Sequence, residues 1–148
     1  MLVAKYEKGA VVEGNVVGTD IIFGTNCVVK GDIYLGNKVI IGSLALVEGH
    51  DIHIDSGTRI MPFAAIGSNT KIGKNCFIGP YFSMANAKHP GPNAKIEQLT
   101  IGDNVIVGTH TLVWPGIKIG DNVKINMGSE VRADVPNETH IRGKWLGV

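Results

Sequence analysis

Histidine is the side chain best suited to take and return a proton near neutral pH, and of the five in this sequence His89 is the one set in a polar segment rich in Pro and Gly. It stands directly before Pro90, and a residue before proline is pushed toward an extended backbone, which restricts how the ring is presented. Asn86, three residues earlier, brings an amide that both donates and accepts hydrogen bonds, and Lys88 brings a cation. Cys27 and Cys76 are the only two cysteines. They form no CxxC pair and suggest neither a disulfide framework nor a metal site.

The rest of the chain reads as the scaffold for that segment. Aliphatic residues recur every six positions from Val11 to Val47, from Ile54 to Met84 after a one-residue slip at His53, and from Ile101 to Val131. Glycine often follows directly, and a small or β-branched side chain sits four residues on, a slot that includes Cys27 and Cys76. Neither the helical period of 3.6 nor simple alternation gives this pattern. Short strands joined by tight turns do, with Gly, Asn and Asp supplying the turn conformations. Three units make one coil, so residues 18 apart stack: Ile101 on Ile119, Val107 on Ile125, Val113 on Val131. The expectation is an all-β chain, one parallel β-helix domain over residues 1–148. The rhythm breaks once, over the 17 residues from Met84 to Ile101, which predicts an external loop at about 85–100 carrying His89.

Composition agrees with such a solenoid. Glycine is abundant at 20 residues, aromatics are only 6% and charged residues 18%, so the core must be built from Val, Ile, Leu and Ala. A net charge of +1 gives no case for a nucleic-acid partner. No 18-residue apolar stretch and no signal-like N-terminus is seen, which predicts no membrane partner and a cytoplasmic protein. A bare prism is expected to bury a face against copies of itself, with Leu44, Phe63, Tyr81 and Phe82 as candidate interface residues.

The stretch Met84-Ala85-Asn86-Ala87-Lys88-His89-Pro90, followed by Ile101-Gly102-Asp103-Asn104-Val105-Ile106-Val107-Gly108, resembles the active-site loop of the hexapeptide-repeat acetyltransferases. There a histidine before proline, preceded by an Asn, leads into IGDNVxIG. The resemblance runs from about Val11 to Arg142 and implies a left-handed parallel β-helix; the handedness rests on it alone. It is nearest to the sugar and nucleotide-amino-sugar acetyltransferases. It therefore implies transfer of an acetyl group from acetyl-CoA, as co-substrate, to a sugar acceptor, first of all the amine of a nucleotide-linked amino sugar. His89 would be the general base, and Asn86 would help place the acceptor or the thioester carbonyl.

Thr109, next to Gly108, matches the family position whose backbone meets the pantetheine arm, and Trp114-Pro115-Gly116 matches an x-Pro-Gly turn. Residues 125–131 correspond to IGAGSVV and residues 132–136 to TKDVP. By that correspondence Met127, Gly128 and Ser129 lie beside the pantetheine, and Arg132 and Ala133 near the nucleotide. Arg132, Arg142 and Lys144 would neutralise CoA phosphates. The family implies a homotrimer with active sites between subunits. Phe63 and Lys88 are acceptor-side candidates. Asn126 and Met127 depart from the family's Gly-Ala, and the tail Gly143-Lys144-Trp145-Leu146 departs from Gly-x-Pro-Ala, leaving Trp145 as a candidate platform for the base. Two other classes stay open: a non-catalytic β-helix scaffold trimer, and a zinc enzyme of the gamma-type carbonic anhydrase kind. The second is disfavoured because no two of His50, His53, His89, His110 and His140 are five residues apart. No metal ligand is assigned.

Overall fold

The structure, a computed structural model, describes residues 4–15 and 17–148. The six-residue units form short strands that wind into a left-handed parallel β-helix, with every strand pairing parallel to a strand of a neighbouring coil. The first face is an eight-stranded sheet from Ala4–Tyr6 to His140–Ile141. The second face includes Ser83–Met84, Leu112–Val113, Glu130–Val131 and Lys144–Trp145; the third includes Thr70–Ile72, Leu99–Ile101 and Lys118–Ile119. In the early coils the long strands Val28–Leu35 and Leu46–Ile54 bend across the corner, so the second and third faces are continuous there. Among the described residues no helix is long and apolar enough to cross a membrane.

The inward residues stack as their 18-residue spacing predicts: Ile101 on Ile119, Val107 on Ile125 and Val113 on Val131. Phe23, Ile41, Ile60, Ile78, Val107 and Ile125 form one buried column along the first face. The small slot is buried too. Its threonines satisfy their hydroxyls locally: Thr70 and Thr111 donate to the carbonyls of Gly67 and Gly108, each at 2.8 Å.

Most turns place their third residue in the left-handed region. At the corner between the third and first faces Asn75, Asn104 and Asn122 take it, as their side chains allow. At the corner between the first and second faces Leu44, Phe63 and Tyr81 take it, bulky residues that resist it, and so does His110, which tolerates it better. Their rings compensate in part: Phe63 stacks on Tyr81 at 4.8 Å, and Tyr81 on His110 at 4.7 Å.

Several sequence expectations need correction. Val11 and Val17 are exposed rather than inward; Val12 pairs with Val29 and takes the inward place. The one-residue slip lies not at His53 but between Gly49 and Ile52, where the pairing passes from Gly31–Gly49 to Ile33–Ile52. Asp51, with φ +54°, makes that bulge. Phe82 is fully buried, because it occupies the inward slot four residues after Ile78, and so it is no interface residue. The loop ends at residue 98, since Leu99 is buried and pairs with Thr70.

Candidate functional site

The loop is an insertion that leaves the coils on either side of it in register. From second to third face the chain takes six residues between Ile66 and Ile72 and six between Val113 and Ile119, but 17 between Met84 and Ile101. Met84 still stacks on Val113, and Ile101 on Ile72. In earlier coils this corner is turned by Gly31 and Gly49 at φ +118° and +139°, where a Cβ on either would strike the next coil. The insertion departs from the same corner.

Its base is closed by the Glu97 N–H donating to the Asn86 carbonyl at 2.7 Å. The Asn86 side chain lies over Gly67, its amide nitrogen 3.3 Å from where a Cβ would stand, so the bare glycine makes its seat. Lys88 pairs with Glu97 at 3.6 Å across the loop. The other Glu97 oxygen is buried with no hydrogen-bond partner among the described residues, and the carboxyl packs against Gly116. His89 is exposed on the outgoing limb.

Between this limb and the second face lies a cleft of about 280 Å³, lined by Ala85, Ala87 and Lys88 on one side and Leu112, Trp114, Pro115 and Glu130 on the other. The coil stacking builds its floor, since Leu112 stacks under Glu130. Trp114 Nε1–H and Arg132 Nε–H both donate to Glu130 Oε1, at 2.9 and 2.7 Å, and the Arg132 guanidinium lies 4.4 Å from the indole centroid. The bond from Arg132, then that from Trp114, holds the Glu130 carboxyl below its ordinary 4.5. Sequence reasoning missed Glu130. The signal was present: Glu130 is 18 residues after Leu112, and it is charged where the family stretch has an apolar residue.

The remaining candidates separate into two groups. Gly108, Thr109, Met127, Gly128 and Arg142 climb the corner between the first and second faces, with the Gly128 N–H donating to the Thr109 carbonyl at 2.8 Å. A Cβ at Gly128 would meet nothing within 4 Å, and Met127 is 76% exposed with its side chain outward. The departure at Met127 therefore leaves an open shelf beside Thr109. Ser129 is buried and its hydroxyl accepts from the Gly143 N–H at 3.1 Å, so it supports the coil and is closed to a ligand. Trp114, Arg132 and Ala133 lie at the opposite edge of the second face, on the loop side, and Lys144 lies outward on that face next to Glu130. Thr109 and Trp114 stand at opposite corners of the second face, with the turn at His110 and the strand Leu112–Val113 between them. One chain does not bring His89 and the Thr109–Gly128 shelf together. Trp145 is no free platform: it stacks on Val131 and donates its indole N–H to the Asp134 carbonyl at 3.0 Å.

Among the described residues no group of three or more His, Cys, Asp or Glu side chains is placed to hold a metal. Burial pushes both thiols, Cys27 and Cys76, above their ordinary 9.0, which makes them poor nucleophiles.

The model for the bacterial transferase hexapeptide (six repeats) matches residues 51–81 and 98–133, on either side of the loop. The bifunctional protein GlmU of Clostridium botulinum (strain ATCC 19397 / Type A) is 27% identical over 165 residues, covering 81% of this chain and 36% of that protein. GlmU of Wigglesworthia glossinidia brevipalpis is 34% identical over 139 residues, covering 84% and 29%. This chain thus spans about a third of the length of these curated relatives. Among solved structures, the UDP-N-acetylglucosamine acyltransferase of Campylobacter jejuni is similar with a TM-score of 0.61 and 17% identity, covering 89% of this chain and 66% of that one. A mutant of the GDP-perosamine N-acetyl transferase of Caulobacter crescentus, in complex with CoA and GDP-perosamine, is similar with a TM-score of 0.53 and 20% identity, covering 94% and 52%. At these identities the likeness speaks for the fold.

Proposed function

We propose that this chain, a protein built from bacterial-transferase hexapeptide repeats, is a cytoplasmic acyltransferase that moves the acetyl group of acetyl-CoA to a sugar, most readily the amine of a nucleotide-linked amino sugar. The observation that carries the reading is the insertion of a histidine-bearing loop, with a cleft beneath it, between coils that keep their register on either side. The neighbours named for nucleotide-sugar acyl transfer support it.

In this reading His89 accepts the proton of the acceptor O–H or N–H as that atom attacks the thioester carbonyl. The new bond gives a tetrahedral oxyanion, which backbone N–H groups and Asn86 stabilise. Collapse breaks the carbon–sulfur bond, and the imidazolium returns its proton to the departing CoA sulfur. Transfer is direct, because the two thiols are buried within the prism. The shelf of Thr109, Met127 and Gly128, open at Gly128, suits the pantetheine arm, and Arg142 on the same corner suits a phosphate. That shelf lies across the second face from the loop. A homotrimer resolves the separation by setting the shelf of one subunit against His89 of the next.

The test is acetyl-CoA turnover, followed by thiol release, on a panel of amino-sugar nucleotides and simple sugars. His89→Ala should lower kcat at least about a hundredfold with unchanged thermal stability, as fits the removal of a general base on an exposed loop. An unaltered rate in the variant rules out His89 as the base. Failure of the wild type to bind CoA removes the acyltransferase reading.

A further inference from the structure

We propose that the cleft between residues 85–88 and Trp114 is the seat of the acceptor's sugar ring, and that Glu130 is the residue that selects it by accepting hydrogen bonds from ring hydroxyls or an amine. The inference rests on the acyltransferase reading and adds a site to it.

Size is the first argument. About 280 Å³ gives room for one pyranose ring. The lining is the second. Ala85, Ala87, Leu112 and Pro115 offer an apolar wall for the C–H face of a ring, and a polar group, Glu130, stands at the same cleft. Both bonds that fix Glu130 fall on Oε1, so Oε2 remains to accept from a ligand. With Arg132 and Trp114 holding the carboxyl, binding orders no further side chain there, which favours affinity.

Charge is the third argument, and it separates a sugar from a phosphate. The cation that lines the cleft, Lys88, is engaged by Glu97 at 3.6 Å, and Arg132 beside it by Glu130 at 2.7 Å, while Lys144 stands next to Glu130 on the following coil, outside the lining. Inside the cleft a diphosphate would meet the fixed Glu130 carboxylate and a Lys88 already paired with Glu97. The nucleotide part of the acceptor therefore extends outside the cleft. His89 follows Lys88 directly, so the proposed base stands one residue along the chain from the lining of the cleft.

The experiment measures binding and turnover in parallel. Saturation-transfer NMR with free glucosamine and galactose is run on the full chain, with CoA calorimetry on the same samples. Glu130→Gln keeps an oxygen for Trp114 and Arg132 but removes the charge; Leu112→Trp fills the cleft from its floor. Sugar affinity should fall about tenfold in Glu130→Gln, the loss expected for a charge-assisted hydrogen bond. It should vanish in Leu112→Trp, with CoA affinity within about twofold of wild type in both. Where turnover is present, the acceptor KM should rise about tenfold and the acetyl-CoA KM should hold. The proposal is overturned if neither sugar binds wild type, if both variants bind sugar normally, or if they lose CoA instead. Sugar binding with the expected variant pattern but no acetyl transfer would keep the cleft and remove the acyltransferase reading.

Discussion

Tyr81 tests how the prism tolerates its strained corner. Its φ is +59°, its ring lies between Phe63 at 4.8 Å and His110 at 4.7 Å, and 44% of the residue is exposed. A left-handed backbone at a residue with a Cβ costs about 1–2 kcal/mol. Two ring stacks return about 0.5–1.5 kcal/mol each, toward the low end at a half-open site. Tyr81→Ala keeps the backbone cost and loses both stacks, so it should destabilise by about 1–2 kcal/mol. Tyr81→Gly loses the same stacks but relieves the backbone, against a smaller entropic cost in the unfolded chain. It should therefore be the more stable of the two by about 1 kcal/mol, near 3 °C in Tm for a chain of this size. Tyr81→Asn should fall close to the glycine variant, since Asn tolerates this region. The assay is thermal and urea unfolding at one fixed protein concentration, because association would shift the midpoints. An alanine variant as stable as the glycine variant would refute the reasoning.

Gly42→Ala should cost more than about 2 kcal/mol or prevent folding, because the new Cβ would lie 2.6 Å from the Pro62 backbone nitrogen of the next coil, whereas Gly91→Ala, with nothing within 4 Å, should be neutral in the same melts. Phe82→Ala should destabilise by about 3–5 kcal/mol through cavity formation while leaving the oligomeric state, read by light scattering, unchanged. Cys27 and Cys76 should resist Ellman's reagent in the native protein and react only as it unfolds. Because burial raises both thiols above 9.0, the folded state holds these protons more tightly than the unfolded chain. Their contribution to stability is whole below pH 9 and falls as pH rises past it, so the urea midpoint should drop on the alkaline side.

The periodic part of the molecule was legible because each coil repeats the same packing problem. A six-residue spacing fixes the inward column, and the 18-residue spacing fixes who stacks on whom, as at Val107 and Ile125. Where the sequence was misread, one residue of register was at stake. Val11 and Val12 are both aliphatic, and with a side-chain period of two a single slip exchanges inside for outside. The bulge at Asp51 hid for the same reason, since Ile52 and Ile54 are both apolar and the rhythm alone did not locate the extra residue. Phe82 was readable from Ile78, but its bulk disguised a slot filled elsewhere by small residues. The Trp114–Glu130–Arg132 cluster followed from stacking yet was overlooked, because family motifs along the chain hid neighbours across coils. The final coil lay furthest from reach: Val131 pairs with Trp145 after only 14 residues, so the repeat no longer predicts its partner.

The insertion at residues 85–98 leaves Met84 on Val113 and Ile101 on Ile72, so the prism suffers no register penalty for hosting it. In evolutionary terms the loop is a cassette. Its length and contents can drift, be exchanged or be lost without asking the coils to refold, while the coils can be tuned for stability without disturbing the loop. Changes confined to this one corner of the solenoid leave the register of the coils untouched.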